Sequence, residues 1–167
     1  MAIDTSEPDS ASAERVRVHI ETLLAAAGIE FKCLSHPPTF TSEESAKARG
    51  EPLEVGGKAL LIKLDERFVI VVLSAAKKLN STKLKQLVGA KKSRFASAEE
   101  LLNLTGLVPG SLPPFGEPPF PVTLYADEAI TGNAKIAFNA GSLTHSIVMS
   151  RADWQSVANP HFADLAD

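Results

Sequence analysis

One cysteine, one tryptophan and one tyrosine in 167 residues are the first scarcities of this chain. A lone thiol, Cys33, cannot close an internal disulfide, so the fold must be held by burial and hydrogen bonding alone. Metal-ligand spacing is also missing. His19, His36, His145 and His161 are scattered, with neither HxxxH nor CxxC among them, so neither a metal nor a cofactor is expected. No apolar run approaches the roughly 20 residues of a membrane span. The opening MAIDTSEPDSASAER lacks the basic and apolar regions of a secretory leader, and a soluble, cytoplasmic protein with no membrane partner is expected. A net charge of −3 excludes a generally basic coat for nucleic acid, though an average conceals local patches.

What is present is ordinary globular material. At 44% hydrophobic and 22% charged, the chain is long enough to bury one core. The expected organisation is a disordered Ser-, Asp- and Pro-rich tail over 1–12, a single domain over 13–160 and a C-terminal tail over 161–167. Val16, Ile20, Leu23, Leu24 and Ala27 recur at helical spacing from Glu14 onward, and Gly28 is placed to end that helix. IEFKC then alternates as a half-buried strand with Cys33 on its apolar face, a small buried hydrophobe. Two prolines keep SHPPTF extended. Thr41 and Glu44 form a capping box for a short helix to about Arg49, and Ser97 with Glu100 forms another.

VGGKALLIKLDERFVIVVLSAAKK contains two apolar segments around Asp65 and Glu66, a hairpin of strands near 58–64 and 67–73. FVIVVL is apolar on both faces and so predicts a central strand. Helices follow at about Ser81–Val88 and Ser97–Leu104. GLVPGSLPPFGEPPFP holds six of the eleven prolines and reads as a rigid loop presenting fixed N–H groups. Strands VTLYA, AKIAF and HSIVM and a helix RADWQSVA complete the chain, with Trp154 and Val157 on the helix's apolar face. Asp127 and Asp153 read as helix-start residues, His19 as exposed and His161 as part of the tail. The expected class is α/β (α+β): a mixed, largely antiparallel curved sheet or partial barrel surrounded by helices.

Two features carry chemistry. Lys58 heads a core-directed row with Leu60, Ile62 and Leu64, and Gly56 and Gly57 beside it leave room for a ligand to approach the backbone. A lysine stem can equally snorkel past the strand end into water. Between Lys77 and Arg94 lie seven basic residues (Lys77, Lys78, Lys83, Lys85, Lys91, Lys92, Arg94) and no acidic one. The run reads either as a solvated helix face or as a phosphate-contacting surface, and its lack of aromatics other than Phe95 argues against base stacking.

The blocks SHPPTFTSEESAKARGEPLEVGGKALLIK, LVGAKKSRFASAEEL, GLVPGSLPPFG and IAFNAGSLTHSIVM, in this order, resemble the YbaK and prolyl-tRNA-synthetase-associated editing domain family over roughly residues 14–158. The resemblance implies a mixed α/β fold around a curved sheet and hydrolysis of mischarged aminoacyl-tRNA by a free-standing domain. Ser and Thr esters are favoured, with Ala, Cys and 2-aminobutyrate as further substrates. It implies that Lys58 engages the aminoacyl-tRNA 3′ end and that Gly110 and Ser111 of VPGS line the aminoacyl pocket as backbone donors, preorganised by Pro109. His145 resembles a histidine near the last core strand of synthetase-inserted members. Phe40 and Gly57, with Asn139 and Gly141 of FNAG, border the pocket. The partner implied is the acceptor end of a mischarged tRNA, steered by the basic stretch, with an aminoacyl-tRNA synthetase as a further partner. Two other readings compete: a non-catalytic nucleic-acid-binding module using the Lys77–Arg94 surface, and a thiol enzyme built on Cys33 and His36, which strand alternation places on opposite sides.

Overall fold

The computed structural model describes residues 10–167; of the expected N-terminal tail, residues 1–9 lie outside the described residues. Among the described residues, five α-helices and eight strands in two sheets follow in the order α1 (Ser10–Ala26), β1 (Phe31–Ser35), α2 (Ser42–Arg49), β2 (Gly57–Leu64), β3 (Arg67–Ser74), α3 (Ser81–Val88), β4 (Ser93–Phe95), α4 (Ala98–Thr105), β5 (Thr123–Asp127), β6 (Lys135–Asn139), β7 (His145–Ser150), α5 (Arg151–Ala158) and β8 (His161–Ala163). One sheet is an antiparallel β1-β7-β6 triplet. The other has the order β4-β2-β3-β5-β8, antiparallel through β4, β2 and β3 and parallel from β3 to β8. A parallel bridge between Gly56 and Ala137 links the two sheets, and they do not close into a barrel.

β3 is central because both of its faces are apolar. Ile70 and Val72 enter the larger core with Ile20 and Leu24 of α1, Phe115 and Phe138, while Val69, Val71 and Leu73 enter a smaller one with Leu84 of α3. β2 splits the same way, with Leu61 in the larger core and Ile62 and Leu64 in the smaller. The side-chain period of two therefore builds two cores from one hairpin. The proline-rich segment is core as well as loop. Pro113, Pro114, Phe115 and Phe120 are buried, and Pro114 O accepts from Trp154 Nε1 at 2.8 Å.

Three expectations are corrected. The C-terminal segment is not a tail: β8 pairs in parallel with β5, and Leu165 and Ala166 are buried in the smaller core with Leu84. At the other end, residues 10–12 belong to α1, where Ser12 is buried against Gly106; a Cβ on Gly106 would come within 2.8 Å of Ser12 Cβ. Cys33 is exposed rather than a core hydrophobe, because β1 pairs only with β7 and the thiol lies against Glu21, to which it donates at 3.4 Å.

Candidate active site

The site begins with a helix that burial alone does not hold. In SEESAKAR the only apolar residues are alanines, so α2 is fixed by its ends and its polar face. Thr41 Oγ1 accepts from Glu44 N–H at 3.1 Å, Glu44 Oε2 accepts from Phe40 N–H at 3.0 Å, and Gly50 closes the helix in the left-handed region at φ 68°. That helix aims Ser45 and Arg49, four residues apart on one face, toward β6 and β7. Ser45 Oγ meets Thr39 Oγ1 at 2.8 Å. Arg49 is tied at three points: Nε to Ser146 Oγ at 2.9 Å, Nη2 to Asn139 Oδ1 at 3.0 Å and Nη1 to Ala137 O at 3.4 Å.

A short 3₁₀ turn, Leu53–Val55, then delivers Gly56 and Gly57 to the start of β2. These glycines have a packing reason. A Cβ on Gly57 would lie 2.7 Å from Ile136 Cδ1, and one on Gly56 would lie 3.0 Å from Ala75 Cβ. They let the two sheets approach, and the space expected there for a ligand is partly filled by protein. From the opposite wall Asn139 Nδ2 donates to Gly110 O at 2.7 Å, holding the VPGS turn, in which Gly110 sits at φ 90°.

Together these elements enclose a cavity of about 220 Å³ lined by Phe40, Arg49, Gly57, Lys58, Gly110 and Asn139, among others. Lys58 is half-buried at this cavity. Burial pushes its ammonium below the ordinary lysine range, Glu43 partly restores it, and Lys78 lowers it further. Burial also pushes the Arg49 guanidinium down to about 10. Neither cation has an ion-pair partner among the described residues. The cavity therefore offers positive charge and hydrogen-bond donors to an oxygen-rich ligand of small size.

Of the residues named from sequence, Lys58, Gly57, Gly110, Phe40 and Asn139 converge on this cavity. Ser111, Gly141 and His145 do not. They line a neighbouring groove that shares only Phe40 with it. Ser111 loses its part as a backbone donor, because its N–H is bonded to Val108 O at 3.1 Å and its buried hydroxyl donates to the same oxygen at 2.8 Å. Gly141 makes room for α1, with Val16 Cγ1 3.0 Å from where a Cβ would stand. The His145 ring is lowered in pKa, first by burial and then by Arg17 and His36, and its Nδ1 meets Thr144 Oγ1 at 3.0 Å. Pro109 is exposed and precedes Gly110 without lining the cavity.

The basic stretch divides. Lys77 and Lys78 are exposed, and Lys78 lies close enough to Lys58 to influence it. Lys83 is paired with Asp164 at 2.9 Å and Arg94 with Glu100 at 2.7 and 3.0 Å. Lys85 is half-buried, while Lys91 and Lys92 donate their backbone N–H groups to Asp65, at the far end of the hairpin and roughly 20 Å from Lys58 by strand rise. The thiol reading also fails. Cys33 contacts Glu21 while His36 meets Ser146 Oγ at 2.8 Å, and burial together with Glu21 raises the thiol's pKa.

The family model described as "Aminoacyl-tRNA editing domain" matches residues 36–157. The chain belongs to the aminoacyl-tRNA editing domain family. Among curated relatives, the Multifunctional Ser/Thr-tRNA deacylase ProXp-y of Escherichia coli (strain K12) is 31% identical over 148 residues, 86% of this chain and 88% of the relative. The proline–tRNA ligase of Bacillus licheniformis is 33% identical over 132 residues, 77% of this chain but 22% of that enzyme. A crystal structure given the provisional description of a trans-editing enzyme for prolyl tRNA synthetase superposes with a TM-score of 0.81 at 27% identity, covering 95% of this chain and 98% of that one.

Arg49, Ser146 and the Thr39–Ser45 pair are the members of the site that residue patterns miss. The available signal was the composition of α2: a helix with no large apolar side chain needs a polar reason to stay folded, and an arginine at its end supplies one.

Proposed function

We propose that this editing domain is a free-standing trans-editing deacylase that hydrolyses the ester of a small mischarged amino acid, serine or threonine foremost, from tRNA. The observation that carries the reading is an unpaired, half-buried lysine at a small cavity beside an unengaged backbone donor. Among the described residues, Gly110 N–H makes no hydrogen bond and Lys58 has no carboxylate ion-pair partner.

An aminoacyl ester is already activated, so catalysis asks for a placed water and a stabilised oxyanion. Lys58, protonated, and Gly110 N–H hold the carbonyl oxygen as it gains charge. The water oxygen adds to the carbonyl carbon, its proton passes to the terminal ribose's free hydroxyl, that hydroxyl hands its own proton to the neighbouring ester oxygen, and the ester C–O bond breaks with the ribose oxygen leaving as a hydroxyl. Lys58 serves as cation rather than base, since only a strongly desolvated lysine would give up its proton near neutrality. Lys77 and Lys78, at the Lys58 end, steer the acceptor strand. A synthetase is the natural source of the mischarged substrate.

The test is deacylation of Ala-, Ser-, Thr-, Cys- and 2-aminobutyryl-tRNA by the wild type and Lys58→Ala. Cleavage of one or two small esters, lost in a folded Lys58→Ala, supports the reading. Salt-sensitive tRNA binding without cleavage of any ester overturns it.

A further inference from the structure

The polar groups of the cavity are held to one another by hydrogen bonds, and they differ in how many donors those bonds leave over. Thr39 and Ser45 share one hydrogen bond, and Asn139 gives one amide N–H to Gly110 O and its oxygen to Arg49. Arg49 is the charged group with donors to spare. It carries five N–H donors, of which three are taken by Ser146, Asn139 and Ala137 O, and the other two have no acceptor among the described residues. A guanidinium fastened at three points cannot swing away, so its remaining N–H groups are fixed donors on a residue that lines the cavity.

The parts of an aminoacyl ester can be assigned in turn. Its ammonium is repelled by two cations, its carbonyl oxygen belongs to Lys58 and Gly110, and the strand phosphates hang from the ribose toward Lys77 and Lys78. It has no free carboxylate. The side-chain hydroxyl of serine or threonine is what remains, a neutral oxygen with lone pairs to offer.

We infer that Arg49 is the specificity-determining residue of this site, donating to the side-chain hydroxyl of the esterified amino acid. The inference rests on the deacylase reading above. Esters without that hydroxyl leave buried N–H groups unmet. A site built to hydrogen-bond an OH therefore rejects the analogue lacking it far better than an apolar pocket rejects the analogue bearing it.

Two substrate pairs isolate the hydroxyl: serine against alanine, and threonine against 2-aminobutyrate, all four on one tRNA. The wild type is expected to favour the hydroxylated member of each pair. In Arg49→Met both ratios should fall by roughly 10- to 100-fold, the loss of a hydrogen bond to a charged group, because the seryl and threonyl rates fall further than the alanyl and 2-aminobutyryl rates. An equal drop on all four esters, as from a purely structural or oxyanion role, overturns the inference, as does a folded variant with unchanged ratios or a wild type indifferent to the hydroxyl. If a thermal melt shows that Arg49→Met does not fold, Arg49→Lys keeps the charge that satisfies Asn139 and Ser146. A partial fall of both ratios in that variant supports the assignment, and a uniform fall overturns it. A wild type that cleaves none of the four brings down the deacylase reading itself, which separates the two failures.

Discussion

Lys58 and Arg49 stand half-buried at the cavity without a carboxylate partner among the described residues, whereas Lys83 and Arg94, on the basic stretch, each hold one. Charge density along the chain does not by itself tell which cations are paired. The segment with seven basic residues in eighteen positions has two of its charges engaged by Asp164 and Glu100, while neither of the two isolated cations of the cavity has such a partner among the described residues. A paired surface charge is largely neutralised for a polyanion. An unpaired, desolvated one costs the protein stability, a cost tolerated where function uses the charge.

The largest effect that would sharpen this contrast is expected for Lys58→Ala, which should lower the deacylation rate by about 100- to 1,000-fold, the usual cost of one oxyanion donor. Circular dichroism should show the fold kept, since the side chain is half-exposed at a strand end.

The pH profile comes next. A protonated Lys58 is required, so enzyme-dependent hydrolysis should be fullest below its pKa and fall about tenfold per unit above it. The fall should begin below the ordinary lysine value of 10.5, and it should disappear in Lys58→Arg if that variant remains active. The stability linkage has the opposite sign. A folded pKa below the unfolded one means the unfolded chain binds more protons between the two values, so stability rises with pH across that window. Lys58→Met, free of the buried charge, should therefore melt higher than the wild type at neutral pH while losing activity.

On the surface, reversing Lys77 and Lys78 to glutamate should weaken tRNA binding about tenfold at moderate salt and make the log–log salt dependence shallower by about two. The same change at Lys83 and Lys85 should matter less, since Lys83 is committed to Asp164; comparable losses in filter-binding titrations would break the comparison. The smallest effect is expected for Glu100→Gln. It releases Arg94 and should tighten tRNA binding by less than about twofold. The wild-type Glu100 carboxyl is held down to about 2 by Arg94 and the Ser97 backbone, so the stability it provides is present above its unfolded value of 4.5 and lost as pH falls toward 2. An acid melt of the variant should lack that component.

How much of the site could be read beforehand follows from the range of the forces involved. Lys58 stands out because strand alternation places a charge in an apolar row, and Gly110 because family blocks align there. Arg49 stays hidden because its partners Ser146 and Asn139 lie ninety or more positions away and are brought to it only when β6 and β7 pack beside α2. Ser111 and His145 look equivalent to Gly110 and Lys58 in a string of letters, yet the turn at Val108 consumes the Ser111 N–H and the ring of His145 lies in the adjoining groove.

The sequence by itself determined the local elements. The Ser81–Val88 helix with its Asn80 cap, the Ser97–Glu100 capping box and the hairpin around Asp65 follow from contacts between near neighbours and from the periods of 3.6 and 2. Tertiary structure alone decided that the strands form two sheets, that β8 and Leu165 complete the smaller core, that Cys33 faces outward and which cations remain unpaired. Those outcomes depend on long-range pairing, where burial and charge are set by whichever element arrives opposite, and no window of adjacent residues contains that information.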